Sequence, residues 1–178
     1  RPLSRGLGDV YKRQEKDMDV EKFWAIIEVG KDSDEPEQLV AEELKKLSPD
    51  EIASYQEHFD TLYEKAYRWD LWGAAYLIGG GCSDDCFMDF RYGLISKGRD
   101  VFENALINPD SLADLGKDIE IENEMFGYAA HEVYEELTGD EIPRKEYAGP
   151  SEPLGEGWDF DNEDESRKHI PDLTNVHW

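Results

Sequence analysis

From Val20 onward the chain falls into blocks in which apolar residues recur every three or four positions, the pattern of helices that each bury one face. Val20 to Val29 gathers Phe23, Ile26 and Ile27, with Trp24 beside them, and Gly30 is the expected stop. After the polar link KDSDE, Pro36 suits a first helical turn, and Leu39, Val40, Leu44 and Leu47 repeat at helical spacing. Ser48-Pro49-Asp50-Glu51 has the form of a capping box with proline in the first turn, and the helix it opens runs through Ile52, Tyr55, Phe59, Leu62, Tyr63 and Ala66 to about Trp69, with Glu64 and Arg68 as an outward pair. Asp70 is placed to cap LWGAAYLIGGG, which is apolar on every side and is expected to be the central helix, its Gly73, Ala74 and Ala75 admitting a neighbouring backbone. Ser83 caps DDCFMDFRYGLISKG, with Phe87, Phe90, Leu94 and Ile95 inward; RDVFENALI follows and breaks at Asn108-Pro109-Asp110. A last helix is expected from Asn123 to Thr138, stopped by Gly139.

These blocks predict an all-α fold: one compact domain of about six helices over residues 15–140. Beyond Glu141 the helical period is lost, and residues 141–178 read as an irregular acidic tail rich in proline and glycine, partly docked through Trp158, Phe160, Leu173 and Trp178. Residues 1–14, RPLSRGLGDVYKRQ, have neither capping signal nor apolar period, and their back-translation resembles a sequencing-library adapter. They are expected to be a cloning scar, with Met18 as a workable start.

Charge changes the picture more than composition does. The chain carries 43 acidic and 19 basic residues, a net charge of −24. Four basic residues and one acidic residue lie in the first fourteen, so the remainder stands at −27. Such acidity repels a phosphate backbone and disfavours direct nucleic-acid binding, whereas it speeds encounter with a basic protein. The longest apolar stretch, Leu71 to Gly80, is about half of what spans a bilayer, and no membrane association is expected. Cys82 and Cys86 are too few for a disulfide scaffold, so reduced thiols and a cytoplasmic location are expected.

Candidate chemistry gathers around the glycine-rich turn. Trp69, Asp70, Trp72, Ser83, Asp84, Asp85, Arg91 and Arg99 are the candidate ligand-binding residues. Arg91 and Arg99 are scarce cations in an acidic chain, held either in charge pairs as braces or facing an anion. A catalytic Cys82 is disfavoured by Asp84 and Asp85, which raise a thiol pKa. His131-Glu132-Val133-Tyr134-Glu135 lacks the second histidine of a zincin helix, and Asp159 to Ile170 lacks the glycine and glutamate of a calcium loop. No catalytic residue, metal or cofactor is expected. In the tail, Trp158 and Phe160 with Asp159 and Asp161 are candidate partner-binding residues.

The segments FWAII, WDLWGAAYLIGGGCSDDCFMDFRYGLISKGRDVFENALINPDSLAD and AAHEVYEELTG resemble the bacterial family called domain of unknown function 4240, from about Met18 to Gly139 and loosely into EPLGEGWD. The family's loop is similar to GGCSDDGF, so Cys86 stands here in place of a glycine. The resemblance implies a mainly helical bacterial domain and no established activity, so it carries over no catalytic residue. Charge then makes a non-enzymatic binding or regulatory domain the leading expectation, acting on a basic protein as an inhibitor or immunity-like partner. The alternative is a small-molecule sensor or enzyme using the turn around GGGCSDD.

Overall fold

The computed structural model describes residues 17–178; the adapter-like residues 1–14 lie outside them. Among the described residues the fold is helical, with nine α-helices and two short 3-10 helices in place of about six helices. They are α1 (Val20–Glu28), α2 (Pro36–Leu44), α3 (Pro49–Lys65), α4 (Trp69–Gly79), α5 (Asp84–Ser96), α6 (Arg99–Ile107), η1 (Pro109–Leu115), η2 (Glu124–Tyr128), α7 (Ala129–Thr138), α8 (Glu163–His169) and α9 (Pro171–His177).

Local signals set most boundaries. Ser48 Oγ accepts from the Glu51 N–H while the Glu51 carboxylate accepts from the Ser48 N–H, a complete capping box that starts α3. Ser83 Oγ accepts from the Cys86 N–H at the start of α5. Asp70 does not act as the cap of α4: the helix begins one residue earlier, and Asp70 sits in its first turn, accepting from the guanidinium of Arg68. That bond also takes Arg68 away from its expected partner Glu64.

Packing moves the centre of the domain. α5, not α4, is the helix that touches α1, α3, α4, α6 and η2. Its contact with η2 needs Gly93, where a β-carbon would run into the backbone carbonyl of Ile121. The 121–128 segment therefore lies directly on α5, and the Asn123 N–H donates to Asp89 O at 2.9 Å. The same closeness bends the expected 123–138 helix into η2 followed by α7. At α4 the small residues do not admit a backbone; a β-carbon at Gly73 would meet the ring of Trp158.

The C-terminal stretch is only partly irregular. Asn162 caps α8 and Pro171 opens α9, each seven residues long and too short to show a period. Ile170 and Leu173 are fully buried, and α9 packs on α4 and η1. Asp110 accepts from the N–H groups of Asp172 and Leu173 at 3.0 and 2.8 Å, satisfying the start of α9 with a carboxylate. The tail's aromatic residues belong to this docking. Trp158 stacks on His169 at 4.1 Å and donates to Ser166 Oγ, and Phe160 packs on Trp158 and Tyr76.

Because Leu173 is enclosed by α4 and η1, Leu173→Ala is expected to cost about 2–5 kcal/mol of stability. A thermal melt showing no change would place the C-terminal helices outside the cooperative core.

Candidate functional site

Helix α3 places Tyr63 in its last turn, toward α5, and Tyr67 follows two residues past the end of the helix. From α5, Arg91 reaches across to them. Its guanidinium carbon lies 3.8 Å from the Tyr63 ring centre, 4.7 Å from Tyr67 and 4.9 Å from Phe87. Nη1 donates to the Tyr63 carbonyl at 3.1 Å, Nη2 to the Tyr63 hydroxyl at 2.9 Å, and Nε makes a longer contact to Phe87 O at 3.4 Å. The residue as a whole is 6% exposed.

No carboxylate among the described residues pairs with this cation; its hydrogen-bond partners are a phenol and two carbonyls. Burial draws the Arg91 pKa down and pushes those of Tyr63 and Tyr92 up, so the phenols stay neutral and supply no counter-charge. Three of the five guanidinium N–H groups are used, which leaves two for another acceptor.

Beside the guanidinium is an open cavity of about 300 Å³. α3 contributes Tyr63, the link after it Tyr67, α4 contributes Trp72, and α5 contributes Asp84, Phe87, Met88 and Arg91. Tyr147, Pro150 and Ser151 close it from a strap that follows α7. Trp72 is held by stacking on Phe87 at 4.9 Å and by donating from Nε1 to Cys82 O at 2.9 Å. The strap is pinned by an isolated bridge, in which the Leu154 N–H donates to Tyr67 O and the Trp69 N–H to Leu154 O.

Of the residues expected to bind a ligand, Trp72, Asp84 and Arg91 meet in this cavity. The others do not. Trp69 stacks behind Trp72 at 5.4 Å, Asp70 is tied to Arg68, Ser83 caps α5, and Asp85 is exposed in its first turn. Arg99 is a brace between α1 and α6, paired with Glu21 at 2.8 Å and Glu103 at 3.0 Å while its N–H donates to Glu28. The carboxylates of Asp159 and Asp161 are exposed, but Asp161 is hydrogen-bonded to Tyr76. Trp158 and Phe160, the expected apolar anchor for a partner, are half-buried against the chain's own residues.

Sequence reasoning passed over Tyr63, Tyr67, Phe87, Met88 and the strap. Tyr63 lies on a helix that the sequence predicts, but Tyr67 falls in the link after it, and Tyr147, Pro150 and Ser151 lie in a stretch with no period that carries no signal.

The two cysteines need a correction. They are joined as a disulfide, Cys82 to Cys86, with Cα atoms 5.2 Å apart. The cap geometry explains why they meet: Ser83 starts α5, so Cys86 falls in its first turn, directly above the residue that precedes the cap. No group of three or more His, Cys, Asp or Glu among the described residues is placed to hold a metal ion, and no described helix is long and apolar enough to cross a membrane.

The family model described as protein of unknown function (DUF4240) matches residues 18–136. The chain belongs to that family. The DUF4240 segment holds the floor and walls of the cavity, from Tyr63 to Arg91, whereas the roof residues Tyr147, Pro150 and Ser151 lie beyond its end. No curated protein and no solved structure matches the chain.

A disulfide that closes so short a loop contributes about 2 kcal/mol through the unfolded state. Reductant is therefore expected to lower the melting temperature by about 4–8 °C. Intact-mass measurement after alkylation should show no added groups before reduction and two after it; labelling without reduction would contradict the bond.

Proposed function

We propose that this chain is a binding domain for a small organic anion with an apolar or aromatic body, seated in the Arg91 cavity. The observation that supports the reading is the guanidinium itself. A buried cation without a carboxylate partner costs several kcal/mol, and a well-packed apolar side chain in its place is often neutral or stabilising. An arginine lying over three aromatic rings, with unused N–H groups beside an open cavity, is suited to recognise a carboxylate or phosphate, and the rings of Trp72, Tyr67 and Phe87 suit a flat body. Asp84, on the same wall, offers an acceptor to a hydroxyl or amine of the ligand.

Binding of a basic protein is a second reading, favoured by the net charge of −24 and by the exposed carboxylates of Glu156, Asp159, Asp161 and Asp164. It stands second because the aromatic pair that would anchor such a partner is engaged within the chain. Salt-sensitive capture of a basic protein by the wild type, lost when those four carboxylates become amides, is the outcome it requires.

The Arg91→Met variant separates a binding role from bracing. Its melting temperature is expected to equal or exceed that of the wild type, while binding of 3-phenylpropanoate or inorganic phosphate, followed by quenching of Trp72 emission, is lost. Global destabilisation by Arg91→Met, with no anion bound by the wild type, would falsify the proposal.

A further inference from the structure

The Arg91 cavity has a neighbour of opposite sign. A second cavity, of about 520 Å³, shares Tyr63 and Tyr147 with the first. Its wall carries four carboxylates, Glu57, Asp60, Glu64 and Glu146, against Lys145 and His58. Lys145 is paired with Glu57 at 3.3 Å, and the Nε2 of His58 is engaged with Met18 O at 2.5 Å, so the remaining carboxylates leave the cavity negative. Asp60 has only the Gln56 amide as a hydrogen-bond donor, at 2.8 Å. It lies in a concave wall, open to water yet surrounded by protein, which holds its carboxyl above the usual carboxylate range although Arg144 acts in the opposite sense.

The two cavities have a common floor. Asp60, Tyr63 and Glu64 lie at spacings of three and four on one face of α3, and the Tyr63 ring carries the cation, so one helix face joins the acidic cavity to the guanidinium. Asp60 is one turn from Tyr63, about 5 Å along the axis, and Tyr67 lies past the end of the helix. The guanidinium sits over the Tyr63 ring at 3.8 Å. Tyr147 lies over the join, its hydroxyl donating to Pro150 O at 2.7 Å.

We infer that the ligand of this site is dipolar, an elongated molecule whose anionic end meets Arg91 and whose ammonium or other organic cation, about 5–10 Å away, lies between Asp60 and Glu64. The inference rests on the Arg91 cavity being a binding site and adds the second charge. Each end supplies a close partner of opposite charge: an anion for a guanidinium with no carboxylate, and a cation for Asp60, which among the described residues forms no ion pair within 4 Å and feels Arg144 only from further away. The stem lies along the rings of Tyr63 and Tyr147, which suits an apolar or aromatic linker more than a polar one. A simple carboxylate fills half of this arrangement, and a simple amine meets a buried positive charge at the other end.

Calorimetry on the full chain with three probes tests this: 3-phenylpropanoate, 3-phenylpropylamine and 3-[4-(aminomethyl)phenyl]propanoate. The probe with both charges is expected to bind about fivefold tighter than 3-phenylpropanoate at low salt. In Asp60→Asn/Glu64→Gln the advantage of the doubly charged probe falls to about twofold or less, while 3-phenylpropanoate binds at least as tightly as to the wild type because two nearby negative charges are gone. If the double variant melts early, Glu64→Gln alone is used, with a partial loss expected. Equal affinity of the two carboxylates for the wild type would overturn the dipolar ligand and leave the Arg91 site standing. Binding of 3-phenylpropylamine that is indifferent to Arg91→Met, and no tighter when a carboxylate is added, would show that the acidic cavity acts alone and would overturn it too. No binding by any probe would overturn both readings.

Discussion

A helix packed on many sides has little water left to offer a charged residue. α5 is enclosed by α1, α3, α4, α6 and η2, and on the η2 side the contact depends on Gly93, where the absence of a side chain lets the Ile121 carbonyl lie against the helix. Arg91, two residues earlier and so nearly on the opposite face of the helix, is directed toward α3. It meets rings and carbonyl oxygens on that side, which hold the cation in place without cancelling its charge. The unpaired guanidinium is thus a consequence of how the domain packs as much as a property of the site.

The same economy of apolar surface governs the acidic C-terminal stretch. Between Glu156 and Glu165 the chain is dominated by carboxylates, yet Trp158, Ile170 and Leu173 suffice to bring it onto α4 and η1. Asp110 shows how an acid can serve inside so negative a protein, since at the start of α9 a carboxylate meets two N–H groups and the positive end of the helix. Several surface lysines and arginines are engaged in pairs three or four residues apart, such as Lys45 with Glu42 and Arg167 with Glu163. Exposed pairs of this kind contribute little to stability, so the fold rests on its buried aromatic and aliphatic residues.

Where a signal is local, it was legible. The Ser48 capping box, the Ser83 cap, the break at Asn108 and the stop at Gly139 all follow from a few adjacent residues, and helical class follows from the spacing of Phe23, Ile27, Tyr55, Phe59, Phe90 and Leu94. What needed long-range knowledge was not legible. LWGAAYLIGG looked like the centre because it is apolar throughout, but apolarity there is met by a tryptophan more than eighty residues away in sequence. α8 and α9 are too short for periodicity to reveal them. Trp72, Asp84 and Arg91 were found because they flank the glycine-rich turn; Tyr147 was not, because nothing near it in the chain hints that it faces Arg91's cavity. Arg99 resembled Arg91 in sequence and parted from it in space, since glutamates on α1 and α6 lie within its reach.

The strap over the cavity has a kinetic meaning. It is anchored by buried Ile142 at one end and by the two hydrogen bonds of Leu154 at the other, and from Pro143 to Ala148 it lies exposed between them. A loop fixed at both ends and tied between them by the exposed Lys145–Glu57 pair belongs to the class that moves on the nanosecond-to-microsecond scale, far faster than the global opening of a packed core. For a guest of the proposed kind beneath Tyr147, residence time would be set by this short exposed segment. Affinity and dwell time can diverge in such an arrangement: the helices govern how favourable occupancy is, and the strap governs how long it lasts.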